Sequence, residues 1–138
     1  MAIIDRSIYG DEIFAKTIHD RGNMTKDEFT IYKELLHNML AHIKPPKLLI
    51  YIDVHVDTAM ERINTRARST EADAIPRDYM EDLHRNYEAW YEAYQLSPKV
   101  RINLNDSLFC SAGLLNAKKK EEILQIVHTY LGTESVDK

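Results

Sequence analysis

Glu61-Arg62-Ile63-Asn64-Thr65-Arg66-Ala67-Arg68-Ser69-Thr70-Glu71 sets three arginines within seven residues and closes on a glutamate. Arg62 and Arg66 are four residues apart, so on a helix they share a face. Like charges at that spacing destabilise an isolated helix by about 0.2–0.5 kcal/mol. An anion between the guanidiniums offsets that cost, because each guanidinium is a planar fork of donors that fits phosphate oxygens. Arg68 would face the other way on an unbroken helix, since two residues turn the direction by about 200°. All three converge only if the helix ends near Ala67, which makes the stretch a flap lowering positive charge onto a polyphosphate. The plain alternative is a solvated charge cluster: cations near a helix C-terminus gain about 0.3–1 kcal/mol from the macrodipole.

The rest of the chain narrows what such a flap could serve. With 138 residues the sequence suits one domain, expected over 1–131, with a polar tail over 132–138. Eighteen basic and 22 acidic residues leave a net charge of −4, which argues against nucleic acid or an anionic membrane as the main partner. No apolar run approaches the length of a membrane span, and no basic-then-apolar leader opens the chain. Cys110 is the only cysteine, so no intrachain disulfide can form and a reducing, cytoplasmic location is expected. The six histidines (19, 37, 42, 55, 84 and 128) include no helical pair with metal spacing around a carboxylate.

Upstream of the arginines, Leu48-Leu49-Ile50-Tyr51-Ile52 is an apolar run after Pro45-Pro46 and before Asp53, the pattern of a strand buried on both faces. Thr58 with Glu61 has the form of a capping box, so the arginine-bearing helix is expected to start near Asp57 or Thr58. A first capping box, Thr25 with Glu28, opens a helix to Ile43 whose apolar stripe is Phe29, Tyr32, Leu35, Leu36, Met39, Leu40 and Ile43. That stripe reads as core or subunit interface. Before it, Ile8, Tyr9, Ile13, Phe14 and Ile18 predict a helix to Asp20, ended by the turn Arg21-Gly22-Asn23. Ala2-Ile3-Ile4 reads as a short buried strand, and Asp5-Arg6 then stands at a carboxyl end, where ligands collect in open α/β sheets.

Downstream, Pro76 precedes a long helix with Tyr79, Met80, Leu83, Tyr87, Trp90, Tyr91 and Tyr94 on its apolar face. Packing is the default reading of those rings. Val100 to Leu104 alternates as a third strand; Asn105 opens a loop through Gly113. A last helix, Ala117 to Leu131, is expected to bury Ile123, Ile126, Val127, Tyr130 and Leu131. The class is therefore α/β, with helices crossing between parallel strands.

Four landmarks now fall together: Asp5-Arg6-Ser7-Ile8-Tyr9 with Asp11; the strand to Asp53; Glu61-Arg62-Ile63 with Arg66-Ala67-Arg68 and Glu71; and Tyr79, Leu83, Tyr87 and Trp90. In order and spacing this combination resembles the deoxynucleoside kinase family, over most of the chain to about Phe109. The resemblance implies a P-loop kinase-like parallel sheet and ATP-dependent 5′-phosphorylation of a deoxynucleoside. It implies that Arg6 sits by the 5′-hydroxyl and the moving phosphoryl, and that Asp5 lies near Mg2+. Asp11 matches the aspartate that reads the base edge, and Phe14 the ring that stacks on the base. Arg62, Arg66 and Arg68 match the lid arginines on the donor phosphates. Glu71 matches the acceptor of the sugar 3′-hydroxyl, and Asn105 and Asp106 fall where a loop covers the donor adenine. A homodimer through the Thr25–Ile43 helix is also implied.

Two departures qualify the resemblance. Thr70 stands where many members carry a second glutamate. More important, the four glycines, at 10, 22, 113 and 132, begin no Gly-x-x-x-x-Gly-Lys-Ser/Thr, the motif that cradles phosphates. In the family that loop, the general base and the central strand of a 2-3-1-4-5 sheet precede the segment seen here. The expectation is a fragment inactive by itself, needing a missing N-terminal half as partner. The alternatives are a non-catalytic remnant that binds nucleotide or dimerises, and a thymidylate kinase-like enzyme, which shares the Asp-Arg strand end and an arginine lid.

Overall fold

A computed structural model describes residues 2–6, 8–66, 75–106, 110, 111 and 114–132; Arg66 and the strand residues from Cys110 to Leu115 are described by backbone alone. In chain order the elements are α1 (Ile8–Asp20), α2 (Lys26–Leu40), β1 (Leu49–Asp53), α3 (Val56–Arg66), α4 (Arg77–Ala93), β2 (Lys99–Asn103), β3 (Cys110–Ser111), β4 (Leu114–Leu115) and α5 (Ala117–Leu131). They form two compact units: Met1–Lys44 with Ile63–Ala93, and Pro45–Arg62 with Tyr94–Lys138.

The first unit is helical, with α1 packed on both α2 and α4. Tyr9, Ile13 and Thr17 recur every four residues, so α1 buries one continuous face. Burying a side chain such as Ile13 contributes about 1.5–3 kcal/mol. Thr17 is fully enclosed, and its hydroxyl donates to the Ile13 carbonyl at 2.8 Å. From α4 the buried Asn86 amide donates to Thr17 Oγ1 at 3.0 Å and Asp20 Oδ2 at 3.2 Å. Just past α1, Arg21 clamps the far end of the contact with bonds to Asp82 (2.8 Å) and Asp78 (2.7 Å). The guanidinium beside Asp78 holds that carboxyl below its ordinary range. Gly22 takes φ 77° at the turn, the left-handed geometry that ends helices and that a side chain would strain.

The Thr25 capping box forms as expected: the Glu28 amide donates to Thr25 Oγ1 at 3.2 Å, and the Thr25 amide to Glu28 Oε2 at 2.8 Å. The stripe on α2 divides, however. Leu36 is buried and Phe29, Tyr32 and Leu40 are half-buried. Leu35, Met39 and Ile43 of the same stripe stay exposed at 58%, 42% and 43%, and Ile31, outside the stripe and four residues before Leu35, is exposed at 65%. The expected strand Ala2-Ile3-Ile4 is not formed. Those residues are irregular, with Ile3 and Ile4 89% and 73% exposed. A strand is stable only with a ladder partner, and among the described residues none pairs with this segment.

The second unit carries the parallel pair β1–β2, in register from Leu49↔Lys99 to Asp53↔Asn103. Its strands lie where Leu48–Ile52 and Val100–Leu104 were expected, but β1 is half-buried rather than covered on both faces, with Ile52 exposed. α3 starts at Val56, ahead of the expected Asp57 or Thr58. The first helical bond runs from the Ala59 amide to the His55 carbonyl, so His55 is the N-cap and Thr58 lies inside the helix. The loop expected from Asn105 through Gly113 instead contains β3, paired antiparallel with β4. α5 has the expected bounds, and Asn116 caps it by accepting from the Lys119 amide. Its half-buried side includes Ile123, Ile126, Val127 and Leu131, while Tyr130 is exposed at the rim. Among the described residues no helix is long and apolar enough to cross a membrane.

Candidate active site

In the helical unit the expected acceptor residues gather at the N-terminal end of α1. Asp5 and Arg6 lie on the exposed segment before it, Asp11 in its first turn and Phe14 one turn further. A negative side chain in the first turn is favoured by the helix dipole. Arg6 has φ 50°, a conformation a non-glycine residue rarely adopts outside turns and functional sites. Its guanidinium lies 5.4 Å from the centre of the Phe14 ring, a cation–π distance. Tyr87, on α4, meets Phe14 edge-on at 6.0 Å and 89°. Burial raises the Tyr87 phenol above its ordinary range, opposed by the nearby Arg6 charge. Phe14 is thus gripped from α4 at its edge and covered by a cation that also sits next to Asp5.

Asp11 is held from α2. The Tyr32 hydroxyl donates to Asp11 Oδ2 at 2.6 Å. Tyr32 stacks on Phe29 (6.5 Å, 7°), which stacks on His19 of α1 (4.7 Å, 10°). Burial, then the bond to Asp11, raises the Tyr32 phenol well above its ordinary range.

In the second unit the carboxyl ends of β1 and β2 bring Asp53, Asn103 and Asn105 together. Arg101 bonds Asp53 Oδ2 at 3.3 Å and lies 5.2 Å from the Tyr51 ring centre. Asn105 spends its side-chain carbonyl on the His55 amide, and so ties the end of β2 to the start of α3. Its own amides donate to Asn103 Oδ1, at 2.9 Å from the backbone and 3.0 Å from the side chain. Arg62, half-buried, donates through Nη2 to the Leu104 carbonyl. Asp106 follows, exposed. Arg66, which the division of the chain counts with the first unit, is the last residue of α3. Arg68 and Glu71 lie outside the described residues, as does the flap expected around them. Among the described residues no three His, Cys, Asp or Glu side chains cluster as a metal cage.

A family model for deoxynucleoside kinases matches residues 1–131. The chain belongs to the deoxynucleoside kinase family. It is 42% identical to the deoxyguanosine kinase of Lactobacillus johnsonii, over 73% of this chain and 49% of that protein. It is 44% identical to the deoxyadenosine kinase of Lactobacillus acidophilus, over 74% of this chain and 51% of the other. Among solved structures it superposes on the deoxyadenosine kinase of M. mycoides with bound dCTP, with a TM-score of 0.71 and 27% identity. That superposition covers 90% of this chain and 62% of the other. The fold is thus that of the P-loop kinases, and the chain spans about half the length of the curated relatives it matches. These deoxynucleoside kinase relatives do not favour the thymidylate kinase or non-catalytic readings.

Two contacts of this deoxynucleoside kinase segment were not anticipated from sequence. Tyr32 was read only as part of an apolar stripe, although its spacing to Phe29 and Leu36 already turns it toward α1. For Arg62 the sequence offers a phosphate ligand or a solvated charge. Nothing in the sequence signals its bond to a main-chain carbonyl 42 residues away.

Proposed function

We propose that the chain forms part of a kinase that transfers the terminal phosphoryl group of ATP to the 5′-hydroxyl of a deoxynucleoside. The observation that carries this reading is the grouping of Asp5, Arg6, Asp11 and Phe14 at one end of α1, in a chain whose family acts on such substrates. The 5′-oxygen forms a bond to the γ-phosphorus as the bond to the β–γ bridging oxygen breaks, and ADP leaves. The hydroxyl proton needs a base, and no residue of this chain is assigned that role. Arg6 steadies the charge on the moving group, and Arg62, Arg66 and Arg68 neutralise the donor phosphates. Such transfer is mostly positioning plus charge stabilisation. Phe14 stacks on the nucleobase, Asp11 accepts from its edge, and Glu71 accepts the 3′-hydroxyl. Asn105 and Asp106 border the donor base.

Mg2+ usually takes one or two carboxylates and fills its shell with water and phosphate oxygens. Asp5 would supply one carboxylate. The ion would neutralise charge between donor phosphates. We take residues 1–131 as one portion of the kinase domain, working in the cytoplasm, where a chain with Cys110 as its single thiol stays reduced. The exposed row Ile31, Leu35 and Met39 supports a homodimer through α2. The test is phosphoryl transfer to deoxyadenosine and to dTMP by this chain combined with a P-loop-bearing half. Deoxyadenosine turnover is expected. Turnover of dTMP alone would overturn the reading.

A further inference from the structure

We infer that Tyr32 is a positioning residue for base selection: its hydroxyl fixes the Asp11 carboxylate as an acceptor aimed at an amino group of the nucleobase. The inference rests on the proposed role of Asp11. Tyr32 has one hydroxyl proton, and it goes to Asp11 Oδ2 at 2.6 Å. An ionised carboxylate offers about four lone-pair sites and no donor. With the Tyr32 proton committed, the pair as a whole presents acceptors only. The edge it suits carries N–H groups, as the 6-amino group of adenine and the 4-amino group of cytosine do.

Geometry makes the bond a positioning device rather than a chance surface contact. Asp11 is exposed on the first turn of α1, where a short side chain would otherwise sample several rotamers. Tyr32 comes from a different helix and is fixed by its stack on Phe29, which is itself stacked on His19. Lys33 lies 5.0 Å from the Phe29 ring centre, adding a cation–π contact to the same ladder. The row His19–Phe29–Tyr32 therefore spans from the C-terminal end of α1 back to its first turn. It transmits the α1–α2 packing to one carboxylate oxygen. A site built to hydrogen-bond an N–H of its substrate rejects the analogue that lacks it, so an acceptor left free to turn is expected to lose part of that discrimination.

The test compares deoxyadenosine with purine 2′-deoxyriboside, which lacks only the 6-amino group, in the active kinase (this chain with its P-loop-bearing half). Tyr32→Phe keeps the ring stack and removes the hydroxyl. The ratio of kcat/KM for the two nucleosides is expected to fall about tenfold toward unity. A parallel loss on both nucleosides, with the ratio unchanged, would assign Tyr32 to packing and overturn the inference. Asp11→Ala separates the two readings. If it leaves the ratio intact, the role of Asp11 fails first; if it removes the preference and Tyr32→Phe does not, only the role of Tyr32 fails. A second measurement needs no turnover: with tyrosine labelled at the phenolic carbon, Asp11→Ala is expected to shift the Tyr32 signal in the 138-residue chain. An unmoved signal would mean that the two groups do not touch, and would overturn the inference alone.

Discussion

The two units hold their site residues in different ways. In the helical unit, side chains hold side chains: Tyr32 holds Asp11, while Tyr87 and Arg6 flank Phe14. In the strand-bearing unit, side chains hold backbone: Arg62 grips the Leu104 carbonyl and Asn105 the His55 amide. The first arrangement orients the side chains proposed to meet the nucleobase. The second ties Arg62 and the start of α3 to the end of β2, so the residues proposed for the donor phosphates and base also serve stability. Mutations should therefore separate activity from stability in one unit and mix them in the other.

The largest expected effect is at the arginines proposed for the donor phosphates. Arg66→Ala or Arg68→Ala should lower kcat/KM of the active kinase by about 10²–10³-fold, the usual cost of removing one preorganised donor to developing charge. The midpoint of urea unfolding should not move. Unchanged turnover in both variants would break the lid assignment. Arg62→Ala should differ from them by also costing about 1.5–3 kcal/mol of stability, since it strips a charge-assisted bond from the Leu104 carbonyl. A loss of activity at full stability would erase the contrast between the units.

Asn86→Leu probes the helical unit away from the expected ligands. It removes the donor to Thr17 and Asp20, and should cost about 1–3 kcal/mol in urea unfolding with kcat/KM unchanged. Acid should act more weakly on the same unit. Asp20 is held below its ordinary range, chiefly by the Lys16 bond; Asp78 by Arg21; and Glu28 by the Thr25 amide. Each folded value is depressed, so each contribution is complete above the ordinary carboxylate range and is lost as pH falls through the folded value. Helical circular dichroism and urea midpoints should decline together from about pH 5 downward. Stability rising through that range would contradict the pairings.

Much of this was legible in the sequence because local signals and packing agree. The Thr25–Glu28 box, the Gly22 turn and the period of α1 each state a helix boundary in a few residues. β1 was legible as an apolar run and β2 as an alternation that buries Ile102 and Leu104, but the exposure of Ile52 on β1 was not, since an apolar run names a strand and not what covers it. Ala2-Ile3-Ile4 failed for a related reason: β-branched residues favour extended backbone, yet only a partner strand makes a ladder. Thr58 and Glu61 match a capping box in letters, but the chain enters α3 earlier, at His55, whose amide Asn105 already engages. Asp5 and Arg6 were placed at a strand end that does not form, and Asp11 and Phe14 came from the family resemblance; what the sequence does state is that all four lie within ten residues at the start of α1. Tyr32 on Asp11 was not legible, because it depends on how two helices face each other.

Phosphate transfer from radiolabelled ATP to deoxyadenosine tests the central claim most directly, measured with the 138-residue chain alone and with a deoxynucleoside kinase's P-loop-bearing half added. The chain alone should give no labelled deoxyadenosine monophosphate above a mock preparation, because it has no glycine-rich phosphate cradle of its own. The combination should give it, and Arg66→Ala should remove it. Labelled product from the chain alone, or none from a combination that binds both halves, would contradict the account.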